Sequence, residues 1–259
     1  MSTSRKTPLT ARSVLASVLL GTDPAWLPTA RLVRTAELFG ISEGTARTAL
    51  SRMVTAGEAE AERGGYRLVG RLAARQDRQL ASRRAATLPW DGSWELAIID
   101  GGGRRPAEAR AALRDALREL RLAELREGVW GRPSNLDPDR SADAAALVGS
   151  WCRWWTGAQP DDDPRVTDLF ELDDWSVVAD ELRTQLSELL PMLESGDRRA
   201  LAPGFIVSAD VLRHLQRDPL LPVELLPEDW PGDALRQEYD RYDAAYRAVL
   251  GGWLTEAAT

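Results

Sequence analysis

The residues of this 259-residue chain whose types and spacing could do chemistry are hydroxyls and guanidinium groups between positions 42 and 67. Thr45, Arg47, Thr48, Ser51 and Arg52 recur at the spacing that puts them on one side of a helix, and Ser42 precedes them as a good N-cap. Such side chains donate to phosphate oxygens and to base edges. Arg63 and Arg67 flank Gly64-Gly65, a tight-turn signal, from which a guanidinium could reach a phosphate or a minor groove. The charge distribution points the same way. Positions 1–84 hold 14 Lys/Arg and 7 Asp/Glu, whereas the rest of the chain holds 19 and 33, so a basic head precedes an acidic body. The plainer alternative is chance clustering in an arginine-rich chain. Glu60 and Glu62 count mildly against contact with a polyanion through the hairpin, and they are expected on its solvent side.

Catalytic and metal chemistry finds less support. His214 is the only histidine, and near Val211 and Leu215 it lacks a visible nucleophile, so it reads as a residue on or partly under a helix surface. A single cysteine, Cys152, excludes an internal disulfide and a multi-cysteine zinc site, and fits a reducing compartment. Asp100 closes an apolar strand, but one carboxylate is thin for two-metal chemistry. Asp161, Asp162 and Asp163, between Pro160 and Pro164, lack calcium-loop spacing and read as a solvated loop. No catalytic residue, metal ligand or cofactor is assigned. Two groups remain as candidates for an effector. Gly101, Gly102 and Gly103 with Arg104 and Arg105 are either a phosphate cradle or a plain strand-to-helix turn. Trp151, Trp154 and Trp155 around Arg153 are either packing or an aromatic wall with a cation beside it.

The elements that must position these groups follow from periodicity. Positions 10–20 form a helix burying Val14, Leu15, Val18 and Leu19, ended by Gly21, Asp23 and Pro24. A second helix over 29–39 buries Leu32, Val33, Ala36 and Phe39, and Gly40 stops it. A third over 43–56 buries Ala46, Ala49, Leu50 and Met53, which turns the hydroxyl and arginine face outward. Strands over 59–63 and 66–69 follow. Two helices joined by a glycine turn, then a hairpin, predict a winged helix-turn-helix. Beyond it, a connecting helix spans 71–86, and Pro89 ends it. A strand over 94–99, a helix from Pro106 to about 122, and strands over 122–125 and 129–132 suit a small ferredoxin-like domain. A helix over 173–194 turns Trp175, Val178, Leu182, Leu186, Leu189 and Leu193 inward, and 208–217 and 233–250 are helical. Positions 218–231 are too proline-rich for one helix and read as an extended strap. The expected fold is α+β and predominantly helical, in three parts: 1–88, 89–170 and 171–259. No apolar run approaches the ~20 residues of a membrane helix. Positions 13–21 mimic a signal peptide but no small-residue cleavage site follows, so a cytoplasmic protein is expected.

Three separated motifs bring a resemblance. Phe39-Gly40-Ile41-Ser42-Glu43 with Ala46-Arg47-Thr48-Ala49-Leu50-Ser51-Arg52-Met53-Val54 and Gly57, then Val129-Trp130-Gly131-Arg132-Pro133-Ser134-Asn135-Leu136, then the segment from Asp218-Pro219-Leu220-Leu221-Pro222 to Trp230-Pro231-Gly232 resemble, in that order, the PaaX family. Its members are regulators related to the repressor of phenylacetic acid catabolism. The resemblance implies a ferredoxin-like centre of the Cas2 type and a coenzyme A thioester effector, such as phenylacetyl-CoA. It also sets Asp100 where Cas2 nucleases carry a metal-binding aspartate. This chain departs from the familiar pattern at Gly44, where a bulkier residue is usual, and at Gly57-Glu58, where Gly-Trp is frequent. The expectation is a homodimeric repressor that reads an inverted repeat of double-stranded DNA with its third helix and is released by an aryl- or acyl-CoA. A nucleic-acid enzyme of the Cas2 kind and a protein-interaction module are the alternatives.

Overall fold

A computed structural model describes residues 10–22, 24–100, 106–160 and 165–255. The chain packs into two compact units. One comprises Met1–Leu80, Leu182–Arg213 and Leu235–Thr259, the other Ala81–Glu181 and His214–Ala234.

The first unit opens with three helices: α1 (Ala11–Leu20), α2 (Thr29–Glu37) and α3 (Glu43–Thr55). Thr10 starts α1 with a reciprocal capping box to Ser13, so a local sequence signal fixes the helix before any packing does. Val14, Leu15, Leu19, Leu32, Ala36, Ala46, Leu50 and Met53 then close one core, joined by Ala59 and Leu68 of the hairpin β2 (Ala59–Glu62) and β3 (Gly65–Leu68). The winged helix-turn-helix expected from the periodicity is therefore present.

Two details differ from the sequence reading. A third strand, β1 (Trp26–Pro28), pairs antiparallel with β3, giving the order β1-β3-β2. It is only three residues long and ends in proline, too short for any periodicity to announce it. The hairpin turn is Arg63-Gly64 rather than Gly64-Gly65: φ is +50° at Arg63 and +76° at Gly64, the left-handed pair of a two-residue turn. Gly65 lies in β3 opposite Pro28, and a Cβ there would stand 2.3 Å from the Leu27 carbonyl oxygen. Its glycine is demanded by the neighbouring strand, not by the turn.

The connecting helix is α4 (Gly70–Arg84). The rest of the first unit comes from the far end of the chain, through parts of α8 (Leu172–Glu194), α9 (Leu201–Leu215) and α10 (Gly232–Thr255). The last two run longer than their periodicity suggests. Pro203 is tolerated because it sits in the first turn of α9. Tyr239, Tyr242 and Tyr246 form a buried stripe on α10. Tyr239 shares a hydrogen bond with Ser208 at 2.8 Å, and Tyr246 donates to the Leu201 carbonyl at 3.2 Å. Arg34 of α2 lies 4.4 Å over the Trp253 ring and donates to its carbonyl, and Phe39 meets Phe205 edge-on at 4.9 Å. On α8 one expected inward residue, Val178, is 41% exposed. The buried stripe runs through Trp175, Ala179, Leu182 and Leu186, and Val178 falls beside it.

The second unit is built on β4 (Trp94–Ile99), α5 (Ala107–Glu119), β5 (Ala123–Arg126), β6 (Val129–Pro133), α6 (Ala142–Gly149) and β7 (Cys152–Ala158). The sheet order is β5-β6-β4-β7, all antiparallel, which is the ferredoxin-like arrangement. Leu113, Leu117, Leu120, Ala144 and Val148 pack with Ala97, Trp130 and Cys152 into its core. The short helix α7 (Val166–Leu169) follows the sheet. The strap from Asp218 holds only one 3-10 turn, Val223–Leu225, as its prolines require. It is fastened to the sheet by Arg132, which is fully buried and donates to the carbonyls of Pro219 (3.1 Å) and Leu220 (3.0 Å) and to Asn135 Oδ1 (2.7 Å).

Candidate nucleic-acid interface

The buried stripe of α3 fixes what its other side presents. Ala46, Leu50 and Met53 are wholly buried, so Thr45, Arg47, Thr48, Ser51 and Arg52 are exposed, with Ser42 at the helix start. Ser42 accepts from the Thr45 amide at 3.3 Å, and the two hydroxyls are 2.9 Å apart. Thr48 donates to the Gly44 carbonyl at 2.8 Å. Arg47 donates to Glu43 at 2.8 Å, one helical turn back; both are more than half exposed, so the pair is a weak restraint that a phosphate can displace.

Arg12 of α1 makes a bidentate ion pair with Glu58. Between the start of α1 and the first turns of α3 lies a hollow of about 570 Å³, walled by Thr10, Arg12, Ser42, Thr45, Thr48 and Arg52. Neither Thr10 nor Arg12 stood out in the sequence as a site residue, because the hollow exists only once α1 is packed beside α3.

The wing keeps its glutamates at the surface, as expected, but pairs them with its arginine. Glu60 and Arg67 face each other across the hairpin, and Arg67 binds both Glu60 and Glu62. Both glutamates keep access to solvent and occupy Arg67. Arg63, at the turn, is 85% exposed along its side chain, with Glu62 at 3.5 Å.

The residues considered for an effector are divided. Arg104 and Arg105 lie outside the described residues, as do Asp161, Asp162 and Asp163. Trp151 and Trp154 pack against the ferredoxin-like core beside Cys152. The register pairs Arg153 with Ile98, Trp154 with Ala97 and Trp155 with Leu96, so strand alternation sets Arg153 and Trp155 on one face and Trp154 on the other.

His214 is buried. It stacks on Trp175 at 4.3 Å and bonds the Trp175 carbonyl through Nε2 at 3.0 Å, while Trp175 stacks on Trp230 at 4.4 Å. Burial pushes the imidazole pKa down, and the bond to Trp175 opposes this only in part. A depressed folded pKa means that the unfolded chain takes up a proton first. The contribution of His214 to stability is intact above the unfolded value of about 6.5 and is lost as pH falls through the lower folded value. Urea midpoints should therefore fall as pH drops below about 6.5, and His214→Phe, which keeps a stacking ring, should flatten that dependence. An unchanged slope would place the titration elsewhere.

Asp100 is exposed at the end of β4, and its amide donates to the Trp151 carbonyl at 3.1 Å. Among the described residues, no three acidic, histidine or cysteine side chains gather as metal ligands, and no helix is long and apolar enough to cross a membrane.

A winged helix-turn-helix with an exposed hydroxyl and arginine face, in one chain with a ferredoxin-like sheet, defines the class of helix-turn-helix regulators. The particular family follows from comparison with known proteins. Residues 10–75 match the model of the PaaX-like protein family, and residues 170–251 match that of the PaaX-like protein C-terminal domain. The solved structure of the uncharacterized protein Rv0674 from Mycobacterium tuberculosis is similar at 40% identity, with a TM-score of 0.70, covering 94% of this chain and 98% of that one. No curated protein matches the chain. The chain belongs to the PaaX-like family, a family of transcriptional regulators.

Proposed function

We propose that this protein is a DNA-binding repressor of a catabolic operon. In this reading residues 1–88 read an inverted-repeat operator as part of a homodimer in the cytoplasm, and an aryl- or acyl-CoA thioester, such as phenylacetyl-CoA, releases it. Residues 89–170 and 171–259 would carry effector binding and dimerisation. The observation that carries the reading is the outer face of α3: an arginine pair and three hydroxyls, held outward by a fully buried apolar stripe on the opposite side. Ser42, Thr45, Thr48 and Ser51 are assigned to positioning contacts, Arg47 and Arg52 to base or phosphate contacts, and Arg63 and Arg67 to the flanking backbone. Release requires that the thioester bind the DNA-incompetent geometry more tightly than the competent one. Arg104, Arg105, Trp151, Arg153 and Trp154 remain the residues to vary first in seeking its site.

The test is a fluorescence anisotropy titration against the DNA upstream of the protein's own gene, at about 0.15 M salt with excess competitor, because non-specific binding is screened there. It is then repeated with a panel of CoA thioesters. Tight binding released by one thioester supports the full reading. Tight binding indifferent to all of them removes this effector class. Arg47→Ala should weaken operator binding by about 1–3 kcal/mol and relax the preference at one base pair; undiminished affinity removes Arg47 from the interface.

A further inference from the structure

Gly44 occupies the first turn of α3, where glycine is among the poorest helix formers. Nothing in the protein requires it. Its backbone is helical, and a Cβ built on it would meet no atom within 4 Å. A Cβ would fit, and most residues would make a better helix. A glycine with no packing or conformational reason in the fold leaves its backbone open to close approach by a ligand.

Gly44 also lines the hollow between α1 and α3. Thr10, Ser42, Thr45 and Thr48 bring hydroxyls to its walls, Arg12 and Arg52 bring guanidinium groups, and alanine supplies its only apolar side chains. An anion would find the guanidinium groups of Arg12 and Arg52, a first turn of α1 with no acidic residue, and on α3 a Glu43 already engaged by Arg47. Arg12 is held beside the hollow by Glu58.

We propose that this hollow seats a phosphodiester of one DNA strand, with the bare backbone at Gly44 as the point of closest approach and Arg12 and Arg52 supplying charge. The inference rests on the DNA-reading function proposed above and adds to it a backbone seat, Thr10 and Arg12 at the start of α1, and a reason for the glycine. A seated phosphate would set the register of α3 in the groove, because backbone contacts position a reading helix while base contacts specify its sequence.

The test uses the full-length protein and the variants Gly44→Ala, Gly44→Leu and Arg12→Ala. Both Gly44 variants should fold with a thermal midpoint equal to or above that of the parent, because the added side chain meets open space. Affinity should fall for Gly44→Ala and by more than tenfold for Gly44→Leu, by the same factor on operator and on non-specific DNA. Arg12→Ala should lower the slope of log affinity against log salt by about one. If the parent binds its operator and both Gly44 variants bind equally well, the seat is overturned while the DNA-reading function stands. If the loss appears only on the operator, with altered preference at one base pair, the hollow meets a base edge and the phosphodiester assignment falls. If inorganic phosphate raises the midpoint of the parent and not of Gly44→Leu, while DNA affinity is unchanged, the site takes a free anion instead. A parent that binds no DNA specifically overturns both.

Discussion

Replacing Arg132 by alanine is expected to destabilise the protein by about 3–5 kcal/mol, the range for removing one member of a buried charged network. Arg132 is wholly buried, and burial pulls its pKa down to about 9, so it still carries its charge at neutral pH. Its guanidinium donates to the carbonyls of Pro133, Pro219 and Leu220 and to Asn135 Oδ1, all at 3.1 Å or less, and lies 3.8 Å from Glu95. Alanine would take the donor from the Pro219 carbonyl and Asn135 Oδ1, whereas the Leu220 and Pro133 carbonyls keep the Asn135 side-chain and backbone amides, and each buried acceptor left without a donor costs about 1–3 kcal/mol. The strap has little freedom to rearrange there: the φ of Leu220 is +50°, its amide is held by Asp218 and its carbonyl by Asn135. Urea unfolding of the full-length chain measures the loss. Arg132→Lys, which keeps the charge but not the planar fork, should recover less than half of it. Full recovery by lysine would reduce the role of Arg132 to its charge, and a loss below about 1 kcal/mol would remove it as the strap's anchor.

The second large effect is expected at Gly65. Gly65→Ala would set a Cβ 2.3 Å from the Leu27 carbonyl oxygen and 2.9 Å from the Trp26 ring. The first obstacle is backbone, which cannot rotate away, so β1 must separate from β3. The cost should be at least the ~1–3 kcal/mol of ordinary overpacking. Trp26, whose indole donates to the Glu62 carbonyl at 3.1 Å, would lose its place against the hairpin. Gly64, one residue earlier, is the control. It is glycine for its left-handed φ of +76° and has open space around it. Gly64→Asn, which tolerates that conformation, should change stability by less than about 1 kcal/mol. Thermal unfolding of the pair, with operator affinity alongside, separates the two causes. Equal tolerance at both sites would show that β1 can move at no cost.

The difference between these two glycines also marks how far the sequence could be read. Gly-Gly between two strand-like runs correctly placed the hairpin, because turn chemistry is local. Which glycine made the turn depended on a strand 37 residues upstream (Pro28 opposite Gly65), and no local pattern carries that. The three helices of the head were legible to within about two residues, since their stripes and the Thr10 and Ser42 caps are short-range signals. So was the outer face of α3, which is the complement of its buried stripe. The ferredoxin-like order was inferred from its first four elements. The second half, α6 and β7, was not read: α6 is eight residues rich in alanine, and Cys152–Ala158 reads as an aromatic cluster before it reads as a strand. The ion pairs that occupy Arg47 and Arg67 have spacings visible in the sequence, but only packing shows which pairs form. The hollow beside Gly44 needed the tertiary arrangement of α1 and α3.

The first unit is assembled from both ends of the chain, and this bears on how such a regulator can be rebuilt. Arg34 is covered by Trp253, whose carbonyl it binds from 219 residues away, and Phe39 is covered by Phe205. A reading head cut out at residue 80 would leave those contacts behind. It is not a portable cassette that can be fused in front of another sensor. Recombination that exchanged only the first 80 residues would join α2 to a foreign α10 and lose the fit between Arg34 and Trp253. Under the proposed DNA-reading function, new specificity in this scaffold is therefore more accessible through changes on the outer face of α3 than through exchange of the head.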